Sequence, residues 1–368
     1  MKSSDVAELH GDSVSSPVVF VFFDAWTLVT GRHADMIERI MRQGFSLLDF
    51  EFRTLSEADA EEIYRTNHPI REENSWHVAR LVYPMGRSLG LLFGLSDPSS
   101  CACARMQRLK GKANPSLNKV GQLRYDFLAP NRCLSLMHSS DNPAQVRREG
   151  AVFFAPERID RACVVAREGS TRSNELLREL TDAGAELGLE RIDEPGLGTL
   201  FARVRLRLIK ELQGLHPALP SWQAPLGAYR ALWEALSKDT SRGPVMKEAR
   251  RYLELVTRER PLLQAIAAVV EHGVANSGSY AQYYRPGACE SVSVLRCLQV
   301  LNTPEGYSRW DSESQLPRGL LYDRWERLLF RTHLFNFDDM LAKGVVADRG
   351  GANNGVAEGG RAVAGGAP

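Results

Sequence analysis

The chain has 368 residues, of which 43% are hydrophobic and 25% charged, and its formal net charge is +1. That length is enough for two or three domains and a sizeable core. So even a balance excludes a global field that would draw nucleic acid or an acidic membrane, although a local pocket can still be basic.

Six cysteines without a CxxC pair are too few for a disulfide framework, which predicts unpaired thiols in a reducing compartment. No stretch approaches the roughly 20 apolar residues of a membrane span. Met1 to Ser16 lacks a signal-peptide core. The expected protein is cytoplasmic, with no membrane partner.

Residues 1–16 read as a flexible lead-in, and 17–155 as a domain mixing strands and helices. Val18 to Phe23 is a continuous β-prone apolar run, typical of a strand covered on both faces. Met36, Ile37, Ile40 and Met41 then recur at helical spacing, stopped by Gly44. Phe45 to Phe52 returns to strand character, and Ser56 with Asp59 predicts a near-capping box on a short helix reaching Tyr64. Leu89 to Leu95 is a second buried strand, the segment from Pro98 to Leu109 can be helical, and Arg132 to Met137 reads as a further strand. The order suits a split βαβ arrangement, an α+β ferredoxin-like βαββαβ sandwich with helices on one face of an antiparallel sheet.

Residues 157–345 read as a mostly α-helical domain. Val245, Ala249, Tyr252, Leu253 and Val256 share one helical face. Leu262 to Val270 is apolar nearly all round, which predicts a central buried helix. Tyr322, Trp325, Leu328, Leu329 and Leu334 continue the helical pattern, and Pro217, Pro220 and Pro225 separate helices. Residues 350–368, rich in Gly, Ala and Asn, read as a disordered tail.

The chemistry-bearing residues lie in the first domain. His138 is predicted where an apolar strand ends, a rigid platform from which a ring can face a cleft. Ser140 and Asp141 follow at a helix start, where short polar side chains cap backbone donors. Glu149 falls near the end of that helix. A carboxylate bonded to one ring nitrogen fixes the tautomer and leaves the other nitrogen free to attack. Arg124 is a candidate fork donor for phosphate oxygens, and residues 111–121 can form a loop over a ligand. Taken singly, a histidine at a strand end is more often structural, and a lone arginine or glutamate is usually a solvated charge.

Four segments together resemble the nucleoside diphosphate kinase family, over residues 18 to about 154. They are Gly111-Lys112-Ala113-Asn114-Pro115, Gly121-Gln122-Leu123-Arg124-Tyr125-Asp126-Phe127, His138-Ser139-Ser140-Asp141, and Glu149 eleven residues after the histidine. The resemblance implies that His138 takes the terminal phosphate of a nucleoside triphosphate and passes it to a nucleoside diphosphate, with Mg2+ bridging the phosphates. It implies catalytic roles for His138, Glu149 and Ser140, a phosphate-binding role for Arg124, and a position beside the histidine for Tyr64. Arg108, Lys112 and Asn114 are further candidates for nucleotide or phosphate binding. Trp76 is the candidate for stacking on the base. Homo-oligomers are usual in the family, and the helical domain is a candidate surface for a protein partner.

The pattern also departs from the family. Its first strand ends in K-P-D-G, and here the matching stretch is Val21-Phe22-Phe23-Asp24-Ala25-Trp26, with Phe22 or Phe23, and no charge, where the lysine should be under either register. Ala113, Gln107, Ser135 and Ser139 replace the family's threonine, arginine, asparagine and glycine. Lys110, Lys112 or Arg108 are the cations available as replacements. Three readings stay open: an active phosphotransferase with altered substrate, a nucleotide-binding regulatory or adaptor protein without efficient turnover, and a scaffold that retains His138 by descent.

In the second half, Pro195-Gly196-Leu197-Gly198 lacks the third glycine of a nucleotide fingerprint and reads as a turn. Arg203-Val204-Arg205-Leu206-Arg207 fits a helix with one basic side or a strand. No aromatic platform interleaves those charges, so nucleic acid is not the expected partner. His216, His272 and His333 have no partners at metal-ligand spacing. Trp222, Trp233 and Trp325 read as core, and Asp338-Asp339 would need a third oxygen to hold magnesium.

Overall fold

The computed structural model describes residues 16–66, 80–95, 97, 100–169, 172–215, 223–239, 241, 243–276, 287–302 and 323–334. The predicted lead-in and tail lie outside them, as do Trp76, His216, Pro217, Pro220, Trp222, Tyr322 and Asp338-Asp339, and the side chains of His272 and Cys289.

Four strands form one sheet: β1 (Val18–Phe23), β2 (Phe45–Arg53), β3 (Ser88–Leu95) and β4 (Met137–Ser139), in the order β2-β3-β1-β4 with every neighbouring pair antiparallel. This is the spatial order of the expected ferredoxin-like sandwich. Helices α1 (Ala25–Val29) and α2 (His33–Arg42) join β1 to β2, α3 (Glu57–Ile63) follows β2, and α4 (Ala102–Lys110) and the short α5 (Leu123–Asp126) lead to β4. Helices α6 (Pro143–Gly150), α7 (Pro156–Glu168) and α8 (Ser173–Glu186) come next.

Every residue of β1 and β3 is buried. Side chains alternate along a strand, so burial without alternation means that both faces are covered. The expectation of helices on one face is therefore corrected. One face carries Phe20 and Phe22 against Phe153 and Phe154. Gly90 makes room there, since a Cβ on it would lie 2.5 Å from the Phe153 ring. Helices α7 and α8 pack on β2, and α7 also on β3. Arg158 of α7 bonds both oxygens of Asp49 and one of Glu51, which fastens α7 to the β2 edge.

The capping box at Ser56 is complete, with Ser56 and Asp59 each accepting from the other's backbone N–H. The strand expected over Arg132 to Met137 is corrected: pairing begins only at Met137. Before it the chain is looped, with Leu128 at φ 56° and Leu136 at φ 71°, a left-handed conformation that strand pairing does not admit.

The second half is helical: α9 (Leu197–Leu215), α10 (Gln223–Ser237), α11 (Val245–Asn276), α12 (Gly287–Asn302) and α13 over 324–334. The central helix is α9, which buries Leu200, Phe201, Val204, Arg205, Leu208 and Leu212 and packs on α10, α11 and α12. This corrects the placing of the centre at Leu262 to Val270, where only Leu263, Ile266 and Val270 are buried, one helical face rather than a full circumference. The basic run 203–207 lies on α9 and its arginines have internal partners. Arg203 donates to Ser237 O, Arg207 pairs with Glu326, and Arg205 pairs with Glu259 at 2.8 Å, both fully buried. Trp233 and Tyr252 stack on the Arg205 guanidinium at 4.5 and 5.1 Å. Gly196 and Leu197 form a helix start, where Glu248 accepts from Leu197 N at 2.9 Å.

The halves are tied together by the Arg32–Glu194 ion pair at 2.6 Å, by Ile192 N donating to Val29 O, and by Trp26 against Trp325 at 5.9 Å. Asn131 also donates to Thr332 Oγ1 at 2.9 Å, joining α13 to the loop before β4. Burial drives the His333 ring, next to that contact, down to about 3. The described cysteines, Cys101, Cys103, Cys133, Cys163 and Cys297, are thiols and not disulfides. Among the described residues, no helix is long and apolar enough to cross a membrane.

Candidate active site

The site is assembled where β4 returns along β1. His138 pairs with Phe22 across the two strands, and Ser140 N extends the ladder to Phe20 O at 3.0 Å. His138 thus lies mid-strand, a correction to its expected place at a strand end. Asn142, not Ser140 or Asp141, caps the following helix by accepting from Gln145 N, with Pro143 at the first helical position. Two turns later α6 brings Glu149 back under the strand.

Glu149 is fully buried and its oxygens are shared. Oε2 lies 2.8 Å from His138 Nε2 and accepts from Ser140 Oγ at 2.8 Å, while Oε1 accepts from Arg148 at 2.9 Å. Burial alone would raise this carboxyl, but His138, Ser140 and Arg148 outweigh it and hold the group below its ordinary value. An ionised carboxylate only accepts, so the proton between the two residues sits on Nε2. Nδ1 is then the nitrogen with a free lone pair. The His138 side chain keeps 10% of its surface open.

The ring is framed by aromatics. Phe22 lies 5.4 Å away with planes at 35°, and Tyr64 meets the ring edge-on at 5.0 Å. Tyr64 bonds Tyr83, and burial pushes its hydroxyl up to about 12. Phe22 is 1% exposed and also contacts Phe153 and Tyr83. An apolar wall therefore stands where the sequence comparison lacks a lysine.

The nearby cations are turned to protein acceptors. Arg124 is buried and donates through Nε to Ser135 O at 2.9 Å, and through its two terminal nitrogens to Gly111 O at 2.9 Å and Met137 O at 2.5 Å. Burial lowers its affinity for a proton to about 10, still charged at neutral pH. Lys110 is buried and donates to Ser139 O and Oγ at 3.1 and 2.9 Å, and burial together with Arg124 pulls it down to about 7. Ser139 neighbours His138 and points to the opposite face of β4. Asn114 is buried and caps a 3-10 turn by accepting from Ser116 N, so its oxygen faces its own loop. Arg108 and Lys112 are exposed, Lys112 with its backbone bonded at both ends to the Asn118 side chain. The sequence missed two members of the cluster, Arg148 on Glu149 and Tyr83 on Tyr64. Arg148 carried a weak signal, a cation next in sequence to the acid.

The nucleoside diphosphate kinase family model matches residues 27–159. Two nucleoside diphosphate kinases from strains of Listeria monocytogenes are 34% identical over 70 residues and 35% over 71, each 19% of this chain and 47% of the relative. The N-terminal segment belongs to the nucleoside diphosphate kinase family. The chain spans about half the length of the curated relatives it matches, at 47%. Solved nucleoside diphosphate kinases from Encephalitozoon cuniculi and Aquifex aeolicus align at 16% identity with TM-scores of 0.33, covering 37% and 38% of this chain and 87% and 96% of theirs. Among the described residues, no group of three or more His, Cys, Asp or Glu side chains could hold a metal ion.

Proposed function

We propose that the N-terminal domain is a nucleoside-diphosphate-kinase-like phosphotransferase site working through a phosphohistidine at His138. The observation that carries this reading is the His138–Glu149–Ser140 cluster, with Nε2 bonded and Nδ1 unoccupied. The Nδ1 lone pair attacks the terminal phosphorus of a nucleoside triphosphate. The N–P bond forms as the bond to the bridging oxygen breaks, and the nucleoside diphosphate leaves with that electron pair. Glu149 offsets the positive charge that develops on the ring, and Ser140 holds the carboxylate. A terminal phosphate oxygen of an acceptor nucleoside diphosphate then attacks the phosphorus and restores the free ring.

Magnesium is proposed only as the companion of the nucleotide's phosphates, which would supply part of its oxygen shell. The described residues show no carboxylate set that fits a resident ion. The division into a domain over 17–155 and a helical domain over 157–345, a cytoplasmic setting, self-association, and a protein partner for the helical half belong to the same proposal.

A second reading, nucleotide binding with little turnover, is favoured by one observation. Phe22 presents a ring, not an ammonium, to His138. A missing charge-assisted contact to the transferring phosphate slows transfer about tenfold for each 1.4 kcal/mol lost.

Incubation with labelled ATP and magnesium decides between the readings. The phosphotransferase reading expects acid-labile label on the wild type and none on His138→Ala. Undiminished label on His138→Ala refutes it. Thermal stabilisation by ATP without label supports the binding reading.

A further inference from the structure

A cavity of about 720 Å³ lies between the loop after α4 and the start of α11. That is the size range of small-molecule sites. It is lined by four cations, Arg124, Lys247, Arg250 and Arg251, against one carboxylate, Glu254. Arg251 is paired with Asp239 at 2.5 Å. Arg124 is the buried cation of the lining, and the bonds from its guanidinium end on neutral carbonyl and hydroxyl oxygens. Such acceptors satisfy the donors and leave the charge in place, and a charge with low-dielectric surroundings acts strongly on an anion. Tyr125, Val245 and Met246 give the same cavity an aromatic and apolar side.

We propose that this cavity binds a small phosphorylated molecule of nucleotide size, its phosphate facing Lys247 and Arg250 above Arg124 and its apolar part lying against Tyr125 and Met246. The site is separate from the histidine cluster, because His138, Tyr64, Ser140 and Glu149 do not line it. Half of its wall comes from residues 244–254, outside the segment matched by the family model. It does not depend on the reactivity of His138. Arg124 is shared, since it lines the cavity and also holds the carbonyls of Ser135 and Met137 at the entry to β4.

The test is photolabelling of the full chain with 8-azido-ADP without magnesium, followed by peptide mapping. The expected result is label in the peptide 244–254, displaced by excess pyrophosphate. Lys247→Glu with Arg250→Glu should cut that label by about tenfold, equivalent to about 1.4 kcal/mol of binding. Arg161→Glu with Arg178→Glu, exposed elsewhere and equal in charge change, should leave it intact. Label confined to peptides containing Tyr64 or His138 overturns the proposal. So does the absence of label from 244–254, or label there that survives the Lys247 and Arg250 reversals. Phosphohistidine formation is read separately with labelled ATP, so either proposal can fail alone.

Discussion

Replacing Glu149 by glutamine isolates the contribution of its charge. The carboxylate serves His138 and Ser140 through Oε2 and Arg148 through Oε1. A glutamine has one oxygen and one NH2, so it can satisfy only one side. With its oxygen toward His138, its NH2 faces the Arg148 guanidinium, donor against donor. With the amide turned, its NH2 donates to Nε2, the ring proton moves to Nδ1, and the attacking lone pair is gone. Even in the first orientation a charged hydrogen bond of about 1.5–3 kcal/mol becomes a neutral one of about 0.5–1.5 kcal/mol. The difference of roughly 1–2 kcal/mol corresponds to labelling about 5- to 30-fold slower. The conflict with Arg148 lowers stability by roughly 1–3 kcal/mol. A time course of acid-labile label, with thermal melts on the same samples, measures both effects. A folded Glu149→Gln protein that labels at the wild-type rate refutes the reasoning, as does a loss of label wholly explained by its unfolded fraction.

Glu259→Gln should leave the buried Arg205 charge uncompensated between Trp233 and Tyr252 and cost about 3–5 kcal/mol in denaturant unfolding of the helical half. Arg205→Met with Glu259→Leu should cost less than the single change, because no charge stays stranded, and a larger loss in the double variant counts against this account. Lys110 is pulled down to about 7 in the fold from an ordinary value of 10.5, so between these values the unfolded chain binds more protons. Its contribution to stability therefore rises with pH from about 7, at no more than about 1.4 kcal/mol per pH unit. Melts between pH 7 and 8 should show a shallower rise in Lys110→Met than in the wild type. Equal slopes dismiss the assignment.

The histidine cluster was legible because its parts are close in sequence and their spacing matches a known pattern. Eleven residues from His138 to Glu149 span a strand end, a turn capped by Asn142, and two helical turns, which return the acid to the ring. The capping box at Ser56 was equally local. The start of β4 was misjudged because apolar composition over 132–137 says nothing of Leu136, whose positive φ keeps the preceding loop out of the ladder. The centre of the helical half was misplaced for a related reason. The run at 262–270 is richer in apolar residues than α9, yet α9 is the helix enclosed by its neighbours, and its arginines were tolerated inside because Glu259, Glu326 and Ser237 receive them. The direction in which Arg124 and Lys110 point depends on contacts between segments, which composition and spacing do not encode.

Those directions bear on how the site can work without the family's lysine. A cation helps phosphoryl transfer only when its donors face the oxygens that gain charge. Arg124 spends its donors on the carbonyls that shape the entry to β4, and Lys110 spends its own on the face of β4 away from His138. Both strengthen the platform under the ring, and neither replaces a charge at Phe22. Adding a lysine at Phe22 alone would bury an ammonium among Phe20, Phe153 and Tyr83, where desolvation favours its neutral form. Restoring a family-like cradle therefore requires turning Arg124 as well. Its guanidinium already borders the cavity shared with α11.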